Sequence, residues 1–260
     1  MRHSIDLRIF PTIDGVGSAV ADEIQELIQV RDNVVLGLAT GSSPLATYRE
    51  LRRRFTDGTV SLERARGFLL DEYVGLPRGH RETYRAVIER ELGNRVGFGV
   101  NAIAGPDVWA PDLADACERY EEQIATAGGI DLQILGIGSN GHIGFNEPGS
   151  DFASRTRVSR LTDQTRADNA RFFGDDIAAV PTHCVTQGLG TIGEARRIVL
   201  IATGHSKSHA VARLLTDPAT PDLPASALLN HPSVTLFADA AAVATVAFSA
   251  SGDQRVGNRA

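Results

Sequence analysis

The stretch Asp131 to Pro148, Asp-Leu-Gln-Ile-Leu-Gly-Ile-Gly-Ser-Asn-Gly-His-Ile-Gly-Phe-Asn-Glu-Pro, constrains this chain more than any other. It starts as a short apolar run of the kind that makes a buried parallel strand, then breaks into glycines, Asn140, His142, Asn146 and Glu147. Open α/β sheets place their active sites at the carboxyl ends of such strands. Gly136-x-Gly138-x-x-Gly141 matches the dinucleotide fingerprint letter for letter, but that fingerprint needs a helix starting inside it and an acidic residue about 20 positions on. Here Phe145-Asn-Glu-Pro-Gly149 cannot continue a helix, and the later region offers Arg155, Arg157 and Arg160, so the residues argue against nicotinamide or flavin. What the loop offers instead is an imidazole flanked by an amide and a carboxylate. His142 has the unperturbed pKa nearest neutrality, and Glu147 or Asn140 can hold its ring and fix the tautomer.

Around this stretch the chain alternates. Ile13 to Val30 has helical periodicity, and Val34-Val-Leu-Gly-Leu reads as a buried strand feeding Ala39-Thr-Gly-Ser-Ser-Pro44 and a helix from Leu45 to Arg54. A strand–loop–helix with small hydroxyl residues at the helix start is an anion site in form, although the Gly-Lys-Ser/Thr ending of a Walker loop is missing. Simple N-capping by Ser42 or Ser43 is the plainer use of those hydroxyls. Phe68-Leu-Leu is the next strand, ending in Asp71-Glu72-Tyr73. Adjacent carboxylates are costly together, so one is functional or ion-paired unless both are solvated turn acids. Helices follow over Arg81–Leu92 and Pro111–Ala127, with a short strand at Asn101–Ala104 between them. Beyond the central loop, Asp163 to Phe173 is a polar helical stretch with a weak apolar face, and residues 160–182 are read as a mobile cover over the active site. Arg196 to Thr203 is another buried strand, Gly204-His-Ser-Lys-Ser-His209 a loop into a helix, and Ser233–Ala238 the strand that closes the sheet. This pattern predicts one α/β catalytic domain over residues 1–248, a Rossmann-like open, mostly parallel sheet with helices on both faces, and a frayed tail at 249–260.

Composition narrows the partners. With 42% hydrophobic and 22% charged residues the chain has a full globular core, and its net charge of −6 argues against nucleic acid. The charged start Met1-Arg-His-Ser-Ile-Asp-Leu-Arg8 is unlike a signal peptide, and no run approaches the roughly 18 apolar residues of a membrane span. Cys117 and Cys184, in helical and loop contexts without metal spacing, read as buried thiols, so a cytoplasmic protein is expected. Of 26 lysines and arginines only Lys207 is a lysine. The one ammonium is kept in a strand-to-helix loop, where a compact point donor differs from a planar guanidinium. His205 and His209 flank it at formal metal spacing but have no acidic or cysteine companion, so no metal is expected.

The segment Gly138-Ser-Asn-Gly-His-Ile-Gly-Phe-Asn-Glu-Pro148 resembles the signature loop of glucosamine-6-phosphate deaminases, and Leu69-Leu-Asp-Glu-Tyr-Val-Gly-Leu-Pro77 and Leu36-Gly-Leu-Ala-Thr-Gly-Ser-Ser-Pro44 agree with it. The resemblance implies conversion of glucosamine 6-phosphate and water to fructose 6-phosphate and ammonia, with no cofactor. His142 would help open the sugar ring, oriented by Glu147 and Asn140, and Asp71 would move the proton at the carbon next to the aldehyde. The phosphate would rest on Gly41, Ser42 and Ser43, with Arg171 and Lys207 supplying charge. The family often has aspartate at the position of Asn140, which implies a different pH profile here.

Two rivals remain. A 6-phosphogluconolactonase has a similar Gly-His loop, but that loop typically continues Thr-Ala-Ser-Leu-Phe-Pro rather than Phe145-Asn-Glu-Pro148. A sugar-phosphate sensor would carry a DNA-binding helix-turn-helix, for which the sequence before Val34 has room for only one helix. Regulated deaminases are hexamers that bind N-acetylglucosamine 6-phosphate between subunits; this chain could equally be a monomer. Ser150 and Arg157 match the regulatory site, whereas Ser159 and Arg160 replace its lysine and threonine, and Arg160 is the candidate substitute. No aromatic residue follows Phe248, so weak or absent activation is expected.

Overall fold

The computed structural model describes residues 4–246; Phe248 and the tail expected to fray from Ser249 lie outside the described residues. In chain order the strands and helices are β1 (Asp6–Phe10), α1 (Ile13–Val30), β2 (Val35–Leu38), α2 (Leu45–Thr56), β3 (Arg66–Leu69), β4 (Asp71–Val74), α3 (Tyr84–Glu91), β5 (Ile103–Ala104), α4 (Leu113–Thr126), β6 (Leu132–Gly136), β7 (Arg157–Arg160), α5 (Asp163–Asn169), β8 (His183–Thr186), α6 (Leu189–Gly193), β9 (Arg197–Ala202), α7 (Ser208–Thr216) and β10 (Val234–Asp239).

Helix α1 occupies the residues its periodicity predicts. Val16, Val20, Ile24 and Leu27 are buried along one stripe, and the Thr12 hydroxyl caps its start by accepting the Gly15 N–H at 3.0 Å. The seven-stranded sheet has the order β1-β10-β9-β6-β2-β3-β5, and every pairing in it is parallel. All four residues of β2 and the first four of β6 are buried, so both faces of the sheet are covered. Strand β10 does not close the sheet as expected: it pairs with β9 on one side and β1 on the other, and β1 is the edge. The short β1, with mostly exposed or half-buried residues, lacks the apolar run that marks a central strand.

The topology decides where a site can be. From β2 the chain moves outward through β3 to β5, then returns to β6 on the other side of β2 and continues through β9 to β10. The direction reverses between β2 and β6, and a crevice opens at the carboxyl ends of strands at such a switch point. Because the strands are parallel, the segments after β3, β2, β6 and β9 all emerge on one edge. Those segments carry Asp71, Gly41 to Ser43, Asn140 to Glu147, and Lys207.

A second, three-stranded antiparallel sheet of order β4-β8-β7 lies outside the expected single sheet. It corrects two local readings. Asp71 and Glu72 are not solvated turn acids but the first residues of a buried strand, and Cys184 sits in strand β8 rather than a loop. The sequence between β7 and β8 is the stretch 161–182. Its Leu161, Ala170 and Val180 are buried with Tyr73, Phe145 and Cys184 in a cluster separate from the main core.

Candidate active site

The loop between β2 and α2 has the backbone form of an anion site. Gly41 has φ +84°, a left-handed conformation that glycine adopts without strain. The backbone N–H groups of Gly41, Ser42 and Ser43 donate to no protein acceptor among the described residues. Neither serine caps α2, whose N-cap is Pro44 with no side-chain bond, so the capping reading does not hold. Free N–H groups at a helix start attract negative charge. Arg171 reaches this loop, and a second cation stands near Arg171. Arg171 Nη2 donates to Ser42 Oγ at 3.4 Å, and Lys207, half-buried after β9, lies close enough to Arg171 to feel its charge. Burial, reinforced by Arg171, lowers the Lys207 ammonium from its ordinary value, while Asp168 opposes the shift. Beside the loop, a small cavity is lined by Thr40, Gly41, Tyr73, Tyr84, Phe172 and Phe173.

The loop after β6 forms a directed hydrogen-bond relay. The backbone N–H of His142 donates to Asn140 Oδ1 at 3.1 Å, which fixes which end of the amide is oxygen. The same Oδ1 lies 2.8 Å from His142 Nδ1 and has no proton to give, so Nδ1 carries the hydrogen and Nε2 is left as the base. On the other side Asn140 Nδ2 donates to Glu147 Oε2 at 2.9 Å, and that oxygen lies 3.7 Å from His142 Nδ1. Burial is the main cause holding the His142 imidazole below its ordinary pKa; Lys207 acts in the same direction, and Glu147 and Asp168 oppose it. The ring is therefore neutral near pH 7, with an electron pair available at Nε2. It packs against Gly138, where an added Cβ would stand 2.3 Å from the ring. Gly138 allows close approach of the His142 ring.

Asp71 has the opposite environment. It is 5% exposed, and its carboxylate accepts no hydrogen bond among the described residues. Burial, with the Glu72 charge beside it, pushes the Asp71 carboxyl well above the ordinary carboxylate range. Glu72 itself is spoken for: it accepts the N–H groups of Tyr73, Tyr84 and Arg85 at 2.8–2.9 Å.

Ser150 and Arg157 are brought together, but by internal bonds. Arg157 donates to Asn146 Oδ1 at 2.9 Å and to Ser150 Oγ at 3.3 Å. Arg160 is not brought to them. Strand side chains alternate, so in β7 Arg157 and Ser159 share one face and Arg160 lies on the other, exposed. Arg160 thus does not share the face that Arg157 presents to Asn146 and Ser150. Four polar residues of the neighbourhood escaped sequence reading. Thr162 donates to Glu147 Oε1 at 3.1 Å, Ser139 Oγ donates to Asp168 at 3.1 Å, and Asn169 donates to the Tyr73 hydroxyl at 2.9 Å. The only signal for Thr162, Asp168 and Asn169 was the polarity of the stretch that contains them.

A crevice at the switch point of a parallel sheet, with an anion cradle, an oriented histidine and a bare buried carboxylate, fits an enzyme acting on a phosphorylated small molecule. The chain belongs to the glucosamine-6-phosphate isomerase/6-phosphogluconolactonase family, whose profile matches residues 12–237. It is 54% identical over 238 residues to a glucosamine-6-phosphate deaminase of Beutenbergia cavernae, covering 92% of this chain and 91% of the relative. A glucosamine-6-phosphate deaminase of Mycolicibacterium smegmatis is 55% identical over the same shares. Among solved structures, a monomeric glucosamine-6-phosphate deaminase superposes with a TM-score of 0.90 at 38% identity, over 92% of this chain and 99% of that one. A 6-phosphogluconolactonase of Trypanosoma cruzi, 20% identical with a TM-score of 0.77 over 94% and 97% of the two chains, shares the fold. Among the described residues no helix is long and apolar enough to cross a membrane.

Proposed function

We propose that this chain is a glucosamine-6-phosphate deaminase, converting glucosamine 6-phosphate and water to fructose 6-phosphate and ammonia in amino-sugar breakdown. The observation that carries the reading is the pairing of a directed Glu147–Asn140–His142 relay with a separate unbonded carboxylate, Asp71, on the same edge of the sheet. The reaction needs two bases of different kinds. Ring opening moves a proton from the anomeric hydroxyl to the ring oxygen, a shuttle that suits neutral His142 with a free Nε2. Isomerisation then removes the proton at C2 and returns one to C1, and a buried carboxylate with a raised pKa is a stronger base than a solvated one. Water attacks the resulting C2 imine, and ammonia leaves as the ketone forms. The relatives at 54% and 55% identity, both deaminases by name, support the substrate.

In the same reading Gly41, Ser42, Ser43, Arg171 and Lys207 hold the phosphate, the stretch 160–182 covers the site during turnover, and the protein works in the cytoplasm. The two free, buried cysteines suit that reducing compartment. The decisive experiment is to incubate the protein with glucosamine 6-phosphate and measure fructose 6-phosphate and ammonia, with 6-phosphogluconolactone hydrolysis in parallel. Equimolar ketose and ammonia are expected. Lactone hydrolysis without deamination would overturn the reading in favour of the lactonase branch.

A further inference from the structure

Glu147 uses its two carboxylate oxygens for different neighbours. Oε2 takes the Asn140 amide and faces His142, whereas Oε1 takes both the backbone N–H of Thr162, at 3.3 Å, and the Thr162 hydroxyl, at 3.1 Å. The hydroxyl has one hydrogen, and two acceptors lie in reach: Glu147 Oε1 and Thr165 Oγ1, also at 3.1 Å. The carboxylate has no hydrogen of its own, while Thr165 does. The consistent assignment is therefore Thr165 Oγ–H to Thr162 and Thr162 Oγ–H to Glu147. Thr162 Oγ1 meanwhile accepts the Thr165 N–H at 3.2 Å as the N-cap of α5. One side chain thus starts the α5 helix and clamps the far oxygen of the relay carboxylate, which is 7% exposed.

We propose that Thr162 is a positioning residue for the site: by holding Glu147 Oε1 it turns Glu147 Oε2 onto Asn140 and His142. The inference rests on the reading of Glu147 and His142 given above, and it extends the relay from the loop into α5. The same helix and the turn after it carry Asp168, Asn169 and Arg171, which touch Ser139, Tyr73 and Ser42. The charged groups facing His142 are Glu147 from its own loop, Asp168 from α5 and Lys207 from the turn before α7. Of these, Glu147 is the one whose orientation Thr162 sets.

Three variants separate positioning from capping. Thr162→Val keeps the shape and loses both cap and hydroxyl donor. Thr162→Asp keeps a good cap, cannot donate, and adds a negative charge beside Glu147. Thr162→Ser keeps both roles. The readout is the His142 titration followed by NMR of the ring carbons in the full-length protein, assigned by comparison with His142→Gln. In Thr162→Val the His142 pKa falls further, by roughly half a unit, because the charged form of Glu147 is less well held. In Thr162→Asp it rises by a similar amount, because the imidazolium gains a further anion beside Glu147 and Asp168. Thr162→Ser restores the wild-type curve. The pH dependence of kcat/KM for glucosamine 6-phosphate moves in the same directions. A purely structural Thr162 would lower the Tm of the valine variant and leave its His142 titration on the wild-type curve, and that result overturns the proposal; the shift in Thr162→Asp checks only that position 162 is within electrostatic reach of the ring. If the wild type does not deaminate the substrate, the functional reading falls, while the NMR titration still decides the role of Thr162.

Discussion

At the start of the small antiparallel sheet, Asp71 presents a carboxylate to which nothing among the described residues donates; in the loop after β6, Glu147 has both oxygens bonded. Both are buried, so exposure does not distinguish them. What differs is the supply of donors. Asp71 meets only burial and the repulsion of Glu72, and it clings to a proton. Glu147 meets an amide, a hydroxyl and a backbone N–H, which fix its direction. In the proposed reaction the two carboxylates on one edge of the sheet do different work, one taking a proton and one aiming a histidine.

The sharpest way to break this contrast is to remove the bare carboxylate. Asp71→Asn should lower kcat by about 10²–10⁴-fold, the usual worth of a positioned base, with little change in binding of a substrate analogue. It should also raise the Tm at neutral pH. Below the unfolded pKa both states hold the Asp71 proton and there is no penalty; as pH rises the unfolded chain releases it first, so stability falls until pH passes the raised folded pKa. The amide removes that loss. Near-wild-type turnover, or a lower Tm at pH 7, would sink the assignment.

The phosphate cradle is the next test, because it lies apart from both carboxylates. Lys207→Ala and Arg171→Ala should each weaken substrate by about 1.5–3 kcal/mol, read as a rise in KM, the range for a charged hydrogen bond. Lys207→Arg should also raise KM, since a planar fork replaces a point donor. An unchanged KM in all three would remove these residues from the cradle.

Asn140→Asp sharpens the other half of the comparison. The amide both donates to Glu147 and accepts from His142, whereas aspartate would set two anions side by side beside the ring. The His142 pKa, held below its ordinary value here, should rise, moving the acid limb of kcat/KM to higher pH. An unshifted limb would show that ring opening does not set that limb.

The smallest effect concerns regulation. Arg157 spends its guanidinium on Asn146 and Ser150, and Arg160 lies on the opposite face of β7. N-acetylglucosamine 6-phosphate should therefore change the rate at subsaturating substrate by less than about twofold, a free-energy coupling of only a few tenths of a kcal/mol. Rates with and without it decide the matter, and several-fold activation would reverse the conclusion.

The sequence alone determined most of the large parallel sheet, though not its edge strand β1, together with its helices and the loops at the strand ends. Buried parallel strands are continuous apolar runs and amphipathic helices repeat at a fixed period, so β2, β6, β9 and α1 are legible locally. The histidine loop was legible because Asn140, His142 and Glu147 lie within eight residues of one another. The small sheet was not. Its strands are four residues each and come from distant segments, and β7 and β8 mix polar and apolar positions that only pairing and the cover of residues 161–182 make sense of. Tertiary structure alone decided that Asp71 is bare and Glu72 saturated, because their neighbours at Tyr84 and Arg85 arrive from the next helix. It alone placed Arg160 away from Arg157 and joined Thr162 to Glu147 across fifteen positions. Periodicity records which residues are buried; which donor a buried carboxylate meets depends on how separate segments dock, and no local pattern encodes that.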